Sequence, residues 1–182
     1  LNLGTGFVVQ KVSKMRTILP DGSTSDMAAP GFIIHRDRFD QTIARQARKL
    51  GAALLLSTKA VKRTDEGSVV IKKEAGEMAL VSPQIMIGAD GPRSKTALWC
   101  GASDRDLLPA AQYKMPLCSP MNHTEVHLSP DFYGGYGWLF PKGETANVGL
   151  GIKRINGDPN RLYPLLGQFV EKLRKEGKIK GN

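Results

Sequence analysis

The sequence predicts a mixed α/β and α+β protein in two parts, and three observations carry that prediction. Apolar residues recur at helical steps from Arg38 to Leu50 and pass straight into a continuous apolar run, Ala53 to Ser57. Three β-rich segments follow between Ala60 and Val81, separated by turn residues and leading to a second short apolar run, Ile85 to Ile87. Four further strand-like segments then lie between Tyr113 and Ile152, ahead of a last helical pattern.

Each element has a local reason. Thr5 to Val12 and Met15 to Leu19 are short apolar runs, and the turn Pro20-Asp21-Gly22 after them predicts a hairpin or loop. Phe39, Ile43, Ala44, Ala47 and Leu50 define one apolar helix face, and Gly51 stops the helix. Ala53 to Ser57 reads as a strand buried on both faces. The turns Asp65-Glu66-Gly67 and Ala75-Gly76 divide Ala60–Thr64, Ser68–Glu74 and Glu77–Val81 into an antiparallel meander. Ile85 to Ile87 reads as another strand, ending in Gly88-Ala89-Asp90-Gly91-Pro92, and Ser94 caps a helix that Gly101 ends.

The charged group Asp104-Arg105-Asp106 marks a boundary, so domains are expected at residues 1–103 and 104–182. Beyond it, Tyr113–Leu117, Thr124–Leu128, Tyr136–Phe140 and Ala146–Ile152 predict an antiparallel sheet. Leu162, Leu165, Leu166, Phe169, Val170 and Leu173 lie at helical spacing ahead of a basic tail.

Composition narrows the class. Hydrophobic residues at 41% and charged residues at 24% are ordinary for a chain with a real core. The net charge of +9 attracts phosphates and acidic headgroups. Its cations are scattered, apart from a denser run from Lys172 to Lys180, and they form no stripe interleaved with aromatics, which argues against nucleic acid as a partner. Cys100 and Cys118 form no metal-binding spacing and read as two reduced thiols of a cytoplasmic protein, with no metal site. No stretch reaches the ~18 apolar residues of a membrane span, so membrane contact is expected to be peripheral.

A meander inserted between strands of a parallel sheet is a feature of one large class of FAD-binding domain. HRDRFDQTIARQARKLGA, from His35 to Ala52, resembles the R-x-x-F-D helix of geranylgeranyl reductases and related flavoproteins. IMIGADGPRS, from Ile85 to Ser94, is similar to their Asp-Gly segment, and YGWLFPKGETANVGLGI, from Tyr136 to Ile152, to their Y-x-W-x-F-P segment. The three occur in the family's order and cover nearly the whole chain. The resemblance implies a partial Rossmann-like FAD-binding domain with an inserted three-stranded meander, plus an antiparallel-sheet substrate domain. It implies an FAD-dependent oxidoreductase that reduces carbon-carbon double bonds of an isoprenoid lipid with hydride from reduced flavin.

The resemblance also assigns roles. For the cofactor it implies Arg36 near the flavin's phosphate or ribityl region, the backbone of Ala60 at the adenine, and Asp90 with Gly91 at ribose or ribityl hydroxyls. A guanidinium fork suits phosphate, and glycine lets backbone approach a ligand. The residues alone allow other readings: an ion pair between Arg36 and Asp40, an ordinary strand position for Ala60, and a helix cap at Asp90. Tyr136, Trp138 and Phe140 alternate along a strand and share one face. With Pro141 they would wall an isoprenoid channel, or else fill the core between sheet and helix.

His123 and His127 sit in a strand-like segment, which argues against shared metal ligation; either would be an alkene proton donor by type only, and the catalytic acid is not identified. No G-x-G-x-x-G occurs here, so the chain is expected to carry only part of a flavin site, as a middle fragment of such an enzyme. Tyr133 stands where the family often has Pro. Rival readings on the same scaffold are a flavin-dependent halogenase and an aromatic-ring hydroxylase. A rival from another class is a non-catalytic lipid-binding module.

Overall fold

The computed structural model describes residues 3–102, 107–153 and 161–181. The chain divides into two compact units, one made of residues 1–43 with 108–182 and the other of residues 44–107. The compact units group the N-terminal segment with the C-terminal sheet, whereas the division expected at 103/104 puts it with the meander.

The first unit is built on a six-stranded sheet. Its strands are β1 (Val8–Ile18), β2 (Thr24–Ile34), β6 (Ala110–Pro116), β7 (His123–His127), β8 (Tyr136–Lys142) and β9 (Thr145–Gly151), in the order β2-β1-β7-β8-β9-β6. The Pro20-Asp21-Gly22 turn closes the expected hairpin, with Leu19 N donating to Ser23 O at 2.9 Å. The strand after it went unread in the sequence because Thr24–Ile34 carries Pro30 and little alternation. As an edge strand it tolerates both, since proline removes no ladder bond on a free edge. The sheet is antiparallel as expected at β6–β9, β9–β8 and β8–β7, but β1 and β7 run parallel, Lys14 opposite His123 through Ile18 opposite His127. Parallel neighbours need a long connection, so short-range patterning gave no sign of this pairing.

Helix α3 (Leu162–Lys175) covers one face of this sheet. All six apolar residues at its three- and four-residue steps are buried, together with Leu139, Val148 and Leu150 from the strands. Leu139, Val148, Leu150, Leu166 and Leu173 are fully enclosed. Pro141 is buried on this side of β8; it lies past the last residue of β8 that pairs with β7, where its missing N–H interrupts no ladder bond. Helix α1 (Arg36–Lys49) contributes no buried residue, though Phe39 meets the ring of Phe7 edge-on at 4.9 Å.

The second unit holds the meander, β3 (Thr58–Arg63), β4 (Val69–Lys73) and β5 (Met78–Val81), paired antiparallel in that order. It also holds the short helix α2 (Lys95–Trp99), capped by Ser94, whose hydroxyl accepts from Ala97 N. Two expectations fail here. Neither Ala53–Ser57 nor Ile85–Ile87 forms a strand: Leu56 is 74% exposed and Ile87 86%. No described strand pairs with either run, so neither has the ladder partners that a strand's backbone groups need.

Candidate functional site

Strand β8 sorts its residues by the two-residue period. Gly137, Leu139 and Pro141 point to the α3 side, where a Cβ on Gly137 would come within 3.0 Å of both Phe132 and Phe169. Tyr136, Trp138, Phe140 and Lys142 therefore share the opposite face, which α3 does not cover. The three aromatics thus lie outside the core between the sheet and α3. Pro141 parts from them, because it sits one step along the strand and is fully buried in the core.

The aromatics form a continuous row. The rings of Tyr136 and Trp138 meet edge-on at 6.0 Å, and those of Trp138 and Phe140 lie tilted at 6.4 Å. Trp138 is paired with Gly149 of β9, and Gly149 with Gln112 of β6. The indole lies across Gly149, where an added Cβ would fall 2.4 Å from its Cζ2. It reaches Gln112, donating from Nε1 to Oε1 at 3.2 Å. Phe140 is paired with Asn147, and Asn147 with Lys114, so Lys114 and Lys142 stand on this same face toward the β8–β9 turn. A cleft of about 620 Å³ near that turn is lined by Gln10, Leu117, Cys118, Met121, Glu144 and Lys180 among others, and by none of the three aromatics.

The residues expected at the cofactor fall in both units. Arg36 opens α1 and is exposed, its Nε donating to both carboxylate oxygens of Asp40 at 2.7 and 2.9 Å. Ala60 lies exposed in β3, opposite Ile71 and beside a register shift. Asp90 accepts from the Ser94 hydroxyl and from the backbone N–H groups of Lys95 at 2.7 Å and Thr96 at 3.3 Å. The Ser94 hydrogen bond, with the backbone donors, holds its carboxyl at about 2, below the usual range. Gly91 adopts φ +75° with nothing within 4 Å of where a Cβ would be, so its backbone is open to a ligand. The Asp90 oxygens have lone pairs left over, and Gly91 offers free approach.

On the covered face lies a buried polar cluster that sequence reasoning missed. Glu125, 3% exposed, accepts from Lys178 Nζ at 2.7 Å and lies 3.0 Å from His127 Nε2. His123 Nε2 stands 3.5 Å from its other oxygen. Burial pushes the Glu125 carboxyl up, but hydrogen bonds from His127 and Lys178 outweigh it and hold the group at about 2. The signal was present in the period-two spacing of His123, Glu125 and His127, which puts all three on one face. His127 also packs edge-on against Phe169 at 4.9 Å, so it faces α3 and away from the aromatic row.

The basic tail is less free than its sequence implied. Lys178 is taken by Glu125, Arg174 pairs with Glu171 and Lys172 lies 3.9 Å from Glu176. Among the described residues no group of histidine, cysteine and carboxylate side chains could hold a metal ion, and no helix is long and apolar enough to cross a membrane.

Residues 106–181 match the geranylgeranyl reductase catalytic domain. The chain is 33% identical to a digeranylgeranylglycerophospholipid reductase of Methanospirillum hungatei, over 94% of this chain and 47% of that protein. It is 32% identical to digeranylgeranylglycerophospholipid reductase 1 of Methanothermobacter thermautotrophicus, over 91% of this chain and 45% of that one. The crystal structure of a geranylgeranyl bacteriochlorophyll reductase-like protein from Thermoplasma acidophilum superposes with a TM-score of 0.83 at 28% identity, covering 98% of this chain and 50% of that one. The chain spans about half the length of the curated relatives it matches. Over more than nine tenths of its length the chain is therefore similar to geranylgeranyl reductases, and residues 106–181 carry the match to that family's catalytic domain.

Proposed function

We propose that the protein carrying this chain is an FAD-dependent oxidoreductase that reduces carbon-carbon double bonds in an isoprenoid lipid. The observation that carries the reading is the row Tyr136, Trp138 and Phe140 on the sheet face that α3 leaves open. Bound reduced FAD supplies the hydride. The chain's own part is to lay a long apolar tail along the three rings, exclude water from it and fix which bond is presented. An anionic head fits the end of the row at Lys142 and Lys114, each cation near an anionic group contributing ~1 kcal/mol. His127 is committed to Glu125 on the opposite face, so the proton for the second alkene carbon comes from elsewhere. Asp90, Gly91, Arg36 and the Ala60 backbone are assigned to the cofactor, and the electron donor is left open. The reading includes a cytoplasmic enzyme that meets its lipid at a membrane surface.

The test is to incubate the full-length protein, FAD and a chemical reductant with a geranylgeranylated phospholipid and weigh the product. A gain of two hydrogens per reduced bond is expected. A product that gains oxygen, with consumption of dioxygen, would point to the hydroxylase reading; a protein that binds the lipid without turnover and holds no flavin would be a lipid-binding module.

Arg36 separates two roles. Its ion pair with Asp40 is solvent-exposed, and such pairs contribute about 0 to 1 kcal/mol. In the full-length protein Arg36→Ala should therefore leave the melting temperature nearly unchanged. It should weaken FAD retention by ~1.5 to 3 kcal/mol, the size of a hydrogen bond to a charged group. Equilibrium dialysis of flavin beside a thermal melt checks both; unchanged flavin affinity would return Arg36 to a surface ion pair.

A further inference from the structure

The Trp138 indole reaches across β9 to β6, and two residues outside the Y-x-W-x-F-P segment meet it there. Gly149, its cross-strand partner, leaves an open patch of backbone; any Cβ there would stand 2.4 Å from Trp138 Cζ2 and 2.6 Å from the Ala111 carbonyl. Gln112, one strand farther, accepts the indole N–H at 3.2 Å. Register alignment puts the three residues in one line perpendicular to the strands, Trp138 to Gly149 to Gln112. An indole free to choose its rotamer would stand up from the sheet, and a single acceptor at its far edge fixes which rotamer is held.

We propose that Gln112 is a positioning residue and Gly149 a specificity-determining one. Together they hold the Trp138 indole lengthwise across β9, as the flat floor on which the apolar tail of the substrate rests. This rests on the isoprenoid-reductase reading above. The lateral hold keeps the face shallow over three strands. A Trp138 standing upright would divide it into two narrower grooves, which a methyl-branched chain enters less easily.

The experiment uses the full-length protein with nitrogen-labelled tryptophan, its Trp138 indole N–H resonance assigned by loss in Trp138→Phe. Gln112→Leu, close in shape but unable to accept, should shift that resonance and raise KM for the isoprenoid roughly five-fold, the worth of one ordinary hydrogen bond, with little change in kcat. Gln112→Glu keeps an acceptor oxygen and should restore both. Gly149→Ala should shift the resonance further; because its Cβ also meets the Ala111 carbonyl, Gln112→Leu remains the deciding variant should that protein fail to fold. An indole resonance unmoved in Gln112→Leu would overturn the positioning role. A moved resonance with unchanged KM would overturn the claim that the held indole carries substrate. If the wild-type protein reduces no isoprenoid while the resonance still responds to Gln112, the enzymatic reading has failed and the geometry has not.

Discussion

Trp138→Ala in the full-length protein should cut kcat/KM for long isoprenoids by roughly thirty-fold while leaving the flavin absorbance and the melting temperature nearly unchanged. The magnitude follows from removing an aromatic anchor worth about 2 kcal/mol to a bound apolar partner, at tenfold per 1.4 kcal/mol. The small stability cost follows from position: the indole is on the face α3 does not cover, and its one hydrogen bond, to Gln112, is exposed. Core residues behave in the opposite way. Leu139, its neighbour along β8, is fully buried under α3, and Leu139→Ala belongs to the class of core truncations that cost about 2 to 5 kcal/mol. Measuring turnover and thermal melts of the two variants side by side checks the division of the strand into a working face and a packing face. A large drop in melting temperature for Trp138→Ala, with kcat/KM intact in what stays folded, would return the row to a structural role.

What the sequence disclosed depended on the range of the interaction that fixes each element. Helix α3 was readable residue by residue because its six apolar positions answer to one helical period, and all six are buried. The meander was readable because its turns are local: Asp65-Glu66-Gly67 and Ala75-Gly76 stand where β3, β4 and β5 part. The parallel pairing of β1 with β7 was not, since nothing near Val8–Ile18 encodes a partner at His123–His127. The apolar runs at Ala53–Ser57 and Ile85–Ile87 have strand composition without strand partners, and composition alone cannot make a ladder. At the site, alternation correctly grouped Tyr136, Trp138 and Phe140 but also should have excluded Pro141, whose odd step places it in the core. Gln112 and Gly149 were invisible because their roles come from register across three strands, which no single segment contains.

Lys178→Met should destabilise the fold by roughly 2 to 3 kcal/mol, through a carboxylate left short of a partner rather than through lost packing. Glu125 is 3% exposed and its ionised form is held by Lys178 at 2.7 Å and His127 at 3.0 Å. Methionine keeps the length and apolar stem of lysine but takes away one of the two partners, His127 and Lys178, that keep Glu125 ionised. The pH dependence gives the signature. In the native protein the Glu125 carboxyl is depressed to about 2, against an ordinary value of 4.5. A depressed carboxyl contributes stability that is fully present above its unfolded value and is lost as the pH falls through its folded one. The wild-type protein should therefore lose this contribution between about pH 4.5 and pH 2. In Lys178→Met the folded carboxyl moves up toward its unfolded value, so the variant should be weaker at neutral pH and lose less stability across that acid window. Urea melts at neutral pH and at several acid values measure both effects. Equal acid sensitivity in the two proteins would mean that Lys178 does not hold Glu125 ionised.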